Sequence, residues 1–99
     1  MAETSWQLRQ GDRLIGMLTL DKVDMFWSDC HFEPAAAWED LRPLFAASRD
    51  AWERGDQDAA LAADEMIYAQ GLVLDPAGGG APITDFLIRI NGETARFRH

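Results

Sequence analysis

Trp6 and Leu8 alternate with Gln7 and Arg9, the two-residue period of a strand with one buried face. Gly11-Asp12 supplies turn residues that tolerate positive φ, and Arg13 to Leu20 reads as the returning strand. A two-residue loop sets Leu8 opposite Ile15 and Trp6 opposite Met17. Leu14, Leu18 and Leu20 then fall on the other side, so this strand is expected to be covered on both faces. Val23, Met25, Phe26 and Trp27 are too crowded to alternate. The pattern predicts a turn at Asp21-Lys22, a bend near Trp27-Ser28, and a short third strand from Asp29 to Glu33, ended by Pro34.

Apolar spacing changes to the helical period after Pro34. Pro43 is tolerated only in a first turn, so the helix is expected to start near Asp40, its N-cap. Leu41, Leu44, Phe45, Ser48 and Trp52 make one stripe, and Gly55 is a natural C′ residue. Asp56 or Asp58 caps a second helix running to about Gln70. Its expected buried side is Ala59, Ala63, Met66 and Ile67, with Leu61 and Tyr68 half exposed. Leu72-Val73-Leu74 reads as a strand, and 75–80 as a flexible turn. Ile83 to Ile90 and Glu93 to Arg98 then form a hairpin around Asn91-Gly92 that pairs Ile88 with Ala95 and Phe86 with Phe97. The order β-β-β-α-α-β-β-β predicts an α+β fold: an antiparallel sheet of about five to six strands with two helices on one face, as a single domain over 1–99.

Charge sharpens this picture. The net charge is −8, and residues 21–75 carry all of the excess, thirteen acids against Lys22, Arg42, Arg49 and Arg54. That field repels phosphate backbones and anionic bilayers, which excludes nonspecific nucleic-acid or membrane binding and leaves basic protein partners open. Cys30 stands alone, so no internal disulfide forms. No apolar run approaches a membrane span, and Met1 to Asp12 lack a secretory h-region; the expectation is a soluble cytoplasmic protein. Residues 71–80 are glycine-rich but lack the GK[ST] of a phosphate loop.

The densest polar cluster is Asp21, Asp24, Asp29, Cys30, His31 and Glu33. Asp29, His31 and Glu33 share a strand face at i, i+2, i+4, but ligands so spaced stand about 7 Å apart and do not converge on one ion without bending. They read as a solvated face, with no metal site. Cys30 and His31 point to opposite faces, so His31 is badly placed to activate the thiol, and Cys30 reads as a buried, inert group. No nucleophile–base pair is visible; no catalytic residue and no cofactor is expected. Of four tryptophans, Trp6 and Trp52 fit the core; Trp27 and Trp38, near the bend and the helix entry, either fill the core as well or line a pocket or interface.

The strand Leu14-Ile15-Gly16-Met17-Leu18-Thr19-Leu20 and the runs Phe26-Trp27, Phe32-Glu33-Pro34 and Arg42-Pro43-Leu44-Phe45 form a set with the ending Asp85-Phe86-Leu87-Ile88-Arg89-Ile90-Asn91-Gly92. With them the chain resembles, over nearly its whole length, a family of small, acidic, uncharacterised actinobacterial proteins. The shared motifs are structural, so the resemblance implies no activity, cofactor or catalytic residue. The expected function is a non-enzymatic protein-interaction module, with another protein or itself as a homodimer for partner. An acidic helical face and an aromatic patch would serve it, through Trp27, Trp38, Leu61 and Tyr68. The alternative is a small-molecule or metal-binding domain with a cleft near Trp27, Asp29, His31, Glu33 and Trp38.

Overall fold

The computed structural model describes residues 4–99. Residues 1–3, which belong to the expected domain and N-terminus and include Glu3, lie outside the described residues. The elements follow the expected order: β1 (Ser5–Gln10), β2 (Arg13–Asp24), β3 (Trp27–Pro34), α1 (Trp38–Arg54), α2 (Gln57–Tyr68), β4 (Leu72–Pro76), β5 (Leu87–Asn91) and β6 (Thr94–Arg98). The six strands form one sheet in the order β4-β1-β2-β3-β6-β5, every neighbouring pair antiparallel.

Chain length forces this sheet to curl. Ile83 bridges Leu74 through two backbone hydrogen bonds, one strand position beyond β4. Four residues later the chain enters β5, at the opposite end of the sheet. A flat sheet would separate those positions by about 29 Å, six strand spacings, whereas four residues reach at most about 14 Å. The sheet therefore wraps round until its ends approach. Trp6 on β1 meets Phe97 on β6 edge-on at 5.0 Å, although two strands lie between them in the sheet. Asp64, Ile67 and Tyr68 of α2 share one crevice with Leu72 of β4 and Ile88 of β5, which sets this helix over the remaining gap. Trp38, Leu41 and Phe45 of α1 and Ile67 of α2 join Leu8, Leu18, Phe32, Ile88 and Phe97 in one core.

Two bulges correct the expected register. Gln10 pairs with Arg13 across Gly11-Asp12 as expected, but Ile15 is an extra residue, so Leu8 faces Gly16 and Trp6 faces Leu18. The bulge switches parity. Ile15 and Leu18, expected on opposite faces, are both fully buried. A second bulge at Asp21 lets β2 continue to Asp24. The turn expected at Asp21-Lys22 is instead made by Met25-Phe26, between Asp24 and Trp27. At the other hairpin the loop is Gly92-Glu93, which shifts the pairing by two: Ile88 faces Phe97 and Ile90 faces Ala95. A shift of two keeps the faces, so all four remain inside. Ile83 to Phe86 stay outside β5, held back by the bridge to Leu74.

Helix α1 begins at Trp38, with Ala37 in the cap position and no side-chain cap, rather than at Asp40. The indole of Trp38 is wedged between the rings of Phe32 at 5.1 Å and Phe45 at 5.0 Å, and that packing draws the earlier residues into the helix. Pro43 consequently falls in the second turn, where the carbonyl of Glu39, an exposed residue, loses its i+4 donor. Gly55 ends the helix at φ 73°, and the Asp56 side chain accepts from Ala59 N at 3.2 Å to cap α2. The buried side of α2 is Ala60, Ala63 and Ile67; Met66 points outward, against expectation.

Gly16 marks the tightest point of the sheet. A Cβ there would stand 2.7 Å from Phe32 Cζ and 2.8 Å from the Glu33 carbonyl oxygen, because the Phe32 ring lies over the glycine. Gly16→Ala should therefore cost about 1–3 kcal/mol, the range for overpacking a closed core. Urea unfolding measures it, and an unchanged midpoint would refute the packing account.

Candidate functional site

The face of β3, β6 and β5 opposite the core brings cations and indoles together. Asp29 pairs with Arg96, and Arg96 with Arg89, so these three side chains share that face with Trp27. The guanidinium of Arg96 lies 4.7 Å from the Trp27 ring centre, Arg98 5.4 Å and Arg89 5.9 Å. Arg89 sits on the strand that borders the helices, and its guanidinium also lies 5.1 Å from the ring centre of Trp52 on α1. An indole face attracts such cations through its quadrupole.

Asp64 of α2 anchors this arrangement. Its carboxylate accepts from the Ser48 hydroxyl at 2.7 Å, from Trp52 Nε1 at 3.3 Å, and from Arg89 at 3.4 and 3.5 Å. Ser48, the buried polar residue of the α1 stripe, is thereby satisfied. One carboxylate thus ties both helices to β5.

Between the C-terminal half of α1 and these strands runs a groove of about 730 Å³. Phe45, Trp52, Ile90 and Ala95 contribute its apolar lining; Lys22, Arg49, Arg89 and Arg96 and the acids Asp21, Asp29 and Glu53 contribute its charged groups. Cys30 also lines it, but burial, with Asp29 and Asp21 nearby, pushes its thiol from the usual 9.0 up to about 11. A protonated thiol is a poor nucleophile. The groove offers fixed cations and aromatic faces without an activated nucleophile, an arrangement suited to holding a ligand.

The expected site residues are dispersed. Trp38, expected at an interface or pocket, is 6% exposed and belongs to the core; Trp52, expected in the core, is 40% exposed and stands at the groove. The exchange follows from the early start of α1, which turns Trp38 inward. Trp27 is half-buried under its arginines. Leu61 and Tyr68 are exposed on α2, and the Tyr68 hydroxyl donates to Asp85 at 3.0 Å. That hydrogen bond, with the charge of Asp85, raises the phenol above its ordinary value. His31 Nε2 lies 4.0 Å from Glu33 Oε1, while Asp29 turns to Arg96. Among the described residues no three His, Cys, Asp or Glu side chains gather to hold a metal ion.

Sequence reasoning passed over one surface. The tip of the β2–β3 hairpin projects Val23, Met25 and Phe26, which are 65%, 82% and 76% exposed. Their apolar run was visible, but the bulge that carries it out to a tip was not. Comparisons with protein-family models, curated proteins and solved structures found no match. No helix among the described residues is long and apolar enough to cross a membrane.

Two outcomes follow from this geometry. Asp64→Ala strands the Ser48 hydroxyl and the Arg89 guanidinium, and should cost about 1–3 kcal/mol by thermal or urea unfolding; a neutral result would remove Asp64 as the anchor. Cys30 should resist iodoacetamide at pH 8 in the folded protein and react promptly in urea. The unfolded thiol releases its proton near pH 9 and the folded one near 11, so stability should fall across that window. Rapid alkylation of the folded protein would contradict the burial.

Proposed function

We propose that the protein is a non-catalytic interaction module that grips a protein partner with the tip of its β2–β3 hairpin. Met25 is the observation that carries this reading. All three two-residue hairpin loops put their first residue at positive φ: Gly11 at 60°, Gly92 at 62° and Met25 at 57°. Glycine occupies such a position without steric cost, whereas a side chain there costs about 1–2 kcal/mol. Met25 is also the most exposed large apolar residue among the described residues. A residue that strains the backbone and presents its apolar side chain to water is unfavourable for folding twice over. A contact made through that side chain accounts for both.

Charge describes the partner. Residues 38–68, the helical pair, hold eight carboxylates against three arginines, a field that would draw a basic protein surface and repel nucleic acid and anionic membrane. Leu61 and Tyr68 extend the apolar surface available on α2. A second copy of the chain is the other candidate partner. The unpaired Cys30 thiol suits a reducing compartment, and the reading places the module in the cytoplasm, among the small acidic proteins that the sequence resembles.

A photo-crosslinking residue at Val23 in the producing cell tests this. It should give one discrete adduct, with a second copy or with another protein, while the same residue at Asp58 gives none. Met25→Gly with Phe26→Ser should erase the adduct yet unfold at the same or a higher urea concentration, since relief of strain offsets the entropy of the new glycine. Absence of an adduct at Val23, or its persistence in the double variant, would dismiss the tip as the contact.

A further inference from the structure

Arg96 has five N–H donors and places none of them in a hydrogen bond among the described residues. Its Nε is buried without a partner: Asp29 Oδ1 stands 3.1 Å away, but off the direction in which that N–H points. Nη2 reaches no closer than 3.9 Å to Asp24. The indole of Trp27, 4.7 Å away, supports the guanidinium on the groove wall. Arg89 beside it makes only long bonds, 3.4 to 3.5 Å, to Ser48 and Asp64. Across the groove the Trp52 ring keeps two-fifths of its surface open. The buried Nε stays beside Asp29, and the Nη1–Nη2 pair is the donor fork left for a ligand; with an open indole and an apolar floor it makes the parts of a site for a flat, singly charged acid.

We propose that the groove between α1 and the β3–β6–β5 face binds a planar aromatic carboxylate, its carboxylate on the Arg96 fork and its ring against Trp52. Asp21, Asp29 and Glu53 stand against Lys22, Arg49, Arg89 and Arg96 in the groove lining, an excess of one positive charge that matches a monoanion better than a phosphate dianion. The volume of about 730 Å³ suits a ligand of one to three rings. This site involves neither Met25 nor Phe26 and stands independently of the hairpin contact.

Isothermal titration of the intact protein with biphenyl-4-carboxylate, and with its neutral amide, is the test. The carboxylate should bind saturably at one site, and the amide at least roughly tenfold more weakly, a difference of about 1.4 kcal/mol. Arg96→Gln should lower carboxylate affinity by a similar factor and leave amide affinity unchanged. Arg96→Lys, which keeps the charge but loses the fork, should fall between. Met25→Gly with Phe26→Ser should bind as the wild type does. Equal binding of acid and amide, retention of affinity in Arg96→Gln, or no saturable heat at millimolar ligand would each overturn the assignment. The acid–amide comparison decides on the wild type alone if the arginine variants fail to fold.

Discussion

Phe97 joins the two ends of the chain. Its ring is almost fully buried, edge-on to Trp6 near the N-terminus and to Phe86 at the entry to β5, with its backbone paired between β3 and β5. The contact with Trp6 exists only if the six-stranded sheet curls until its ends approach, and the short passage from Ile83 to Leu87 allows no other course. Closure needs sharp local bends, and bulges supply them at Ile15 and Asp21. Gly16 then lets the Phe32 ring lie where a side chain would have stood. The curl, the bulges and the missing Cβ are one solution to a single constraint of reach.

Curling also decides where the helices and the polar groups sit. A wrapped sheet leaves a gap between β4 and β5, and α2 covers it with Ile67. β5 thereby gains helical neighbours, and Arg89, on the face away from the core, comes within reach of Ser48, Trp52 and Asp64. The groove forms beside that junction. Its cations are partly matched by nearby acids, so the site selects for shape and a single charge rather than for strong anions.

Strain is unevenly spread over the three hairpins. Two satisfy the positive-φ position with glycine and one with methionine. The exception coincides with the most exposed large apolar side chains among the described residues, Met25 and Phe26, while Trp27, just beyond the turn, is held beneath arginines. Arginines thus brace the base of the hairpin at Trp27, while the apolar side chains of its tip stand in solvent.

The order of elements, the inward sides of β1, β3, β5 and β6, the cap at Asp56 and the stop at Gly55 were legible in the amino-acid sequence, because each depends on neighbours a few residues away. The turn at Gly11-Asp12 was legible for the same reason. Tertiary structure alone decided the bulges, the two-residue shift of β5 on β6, and the exchange of Trp38 with Trp52 between core and groove. Those outcomes depend on Phe32, Phe45 and Phe97, which lie far away along the chain and meet only after closure. The arginine–tryptophan row was hidden likewise: Trp27, Trp52, Arg89 and Arg96 come from four elements, and no spacing in the sequence marks them as neighbours.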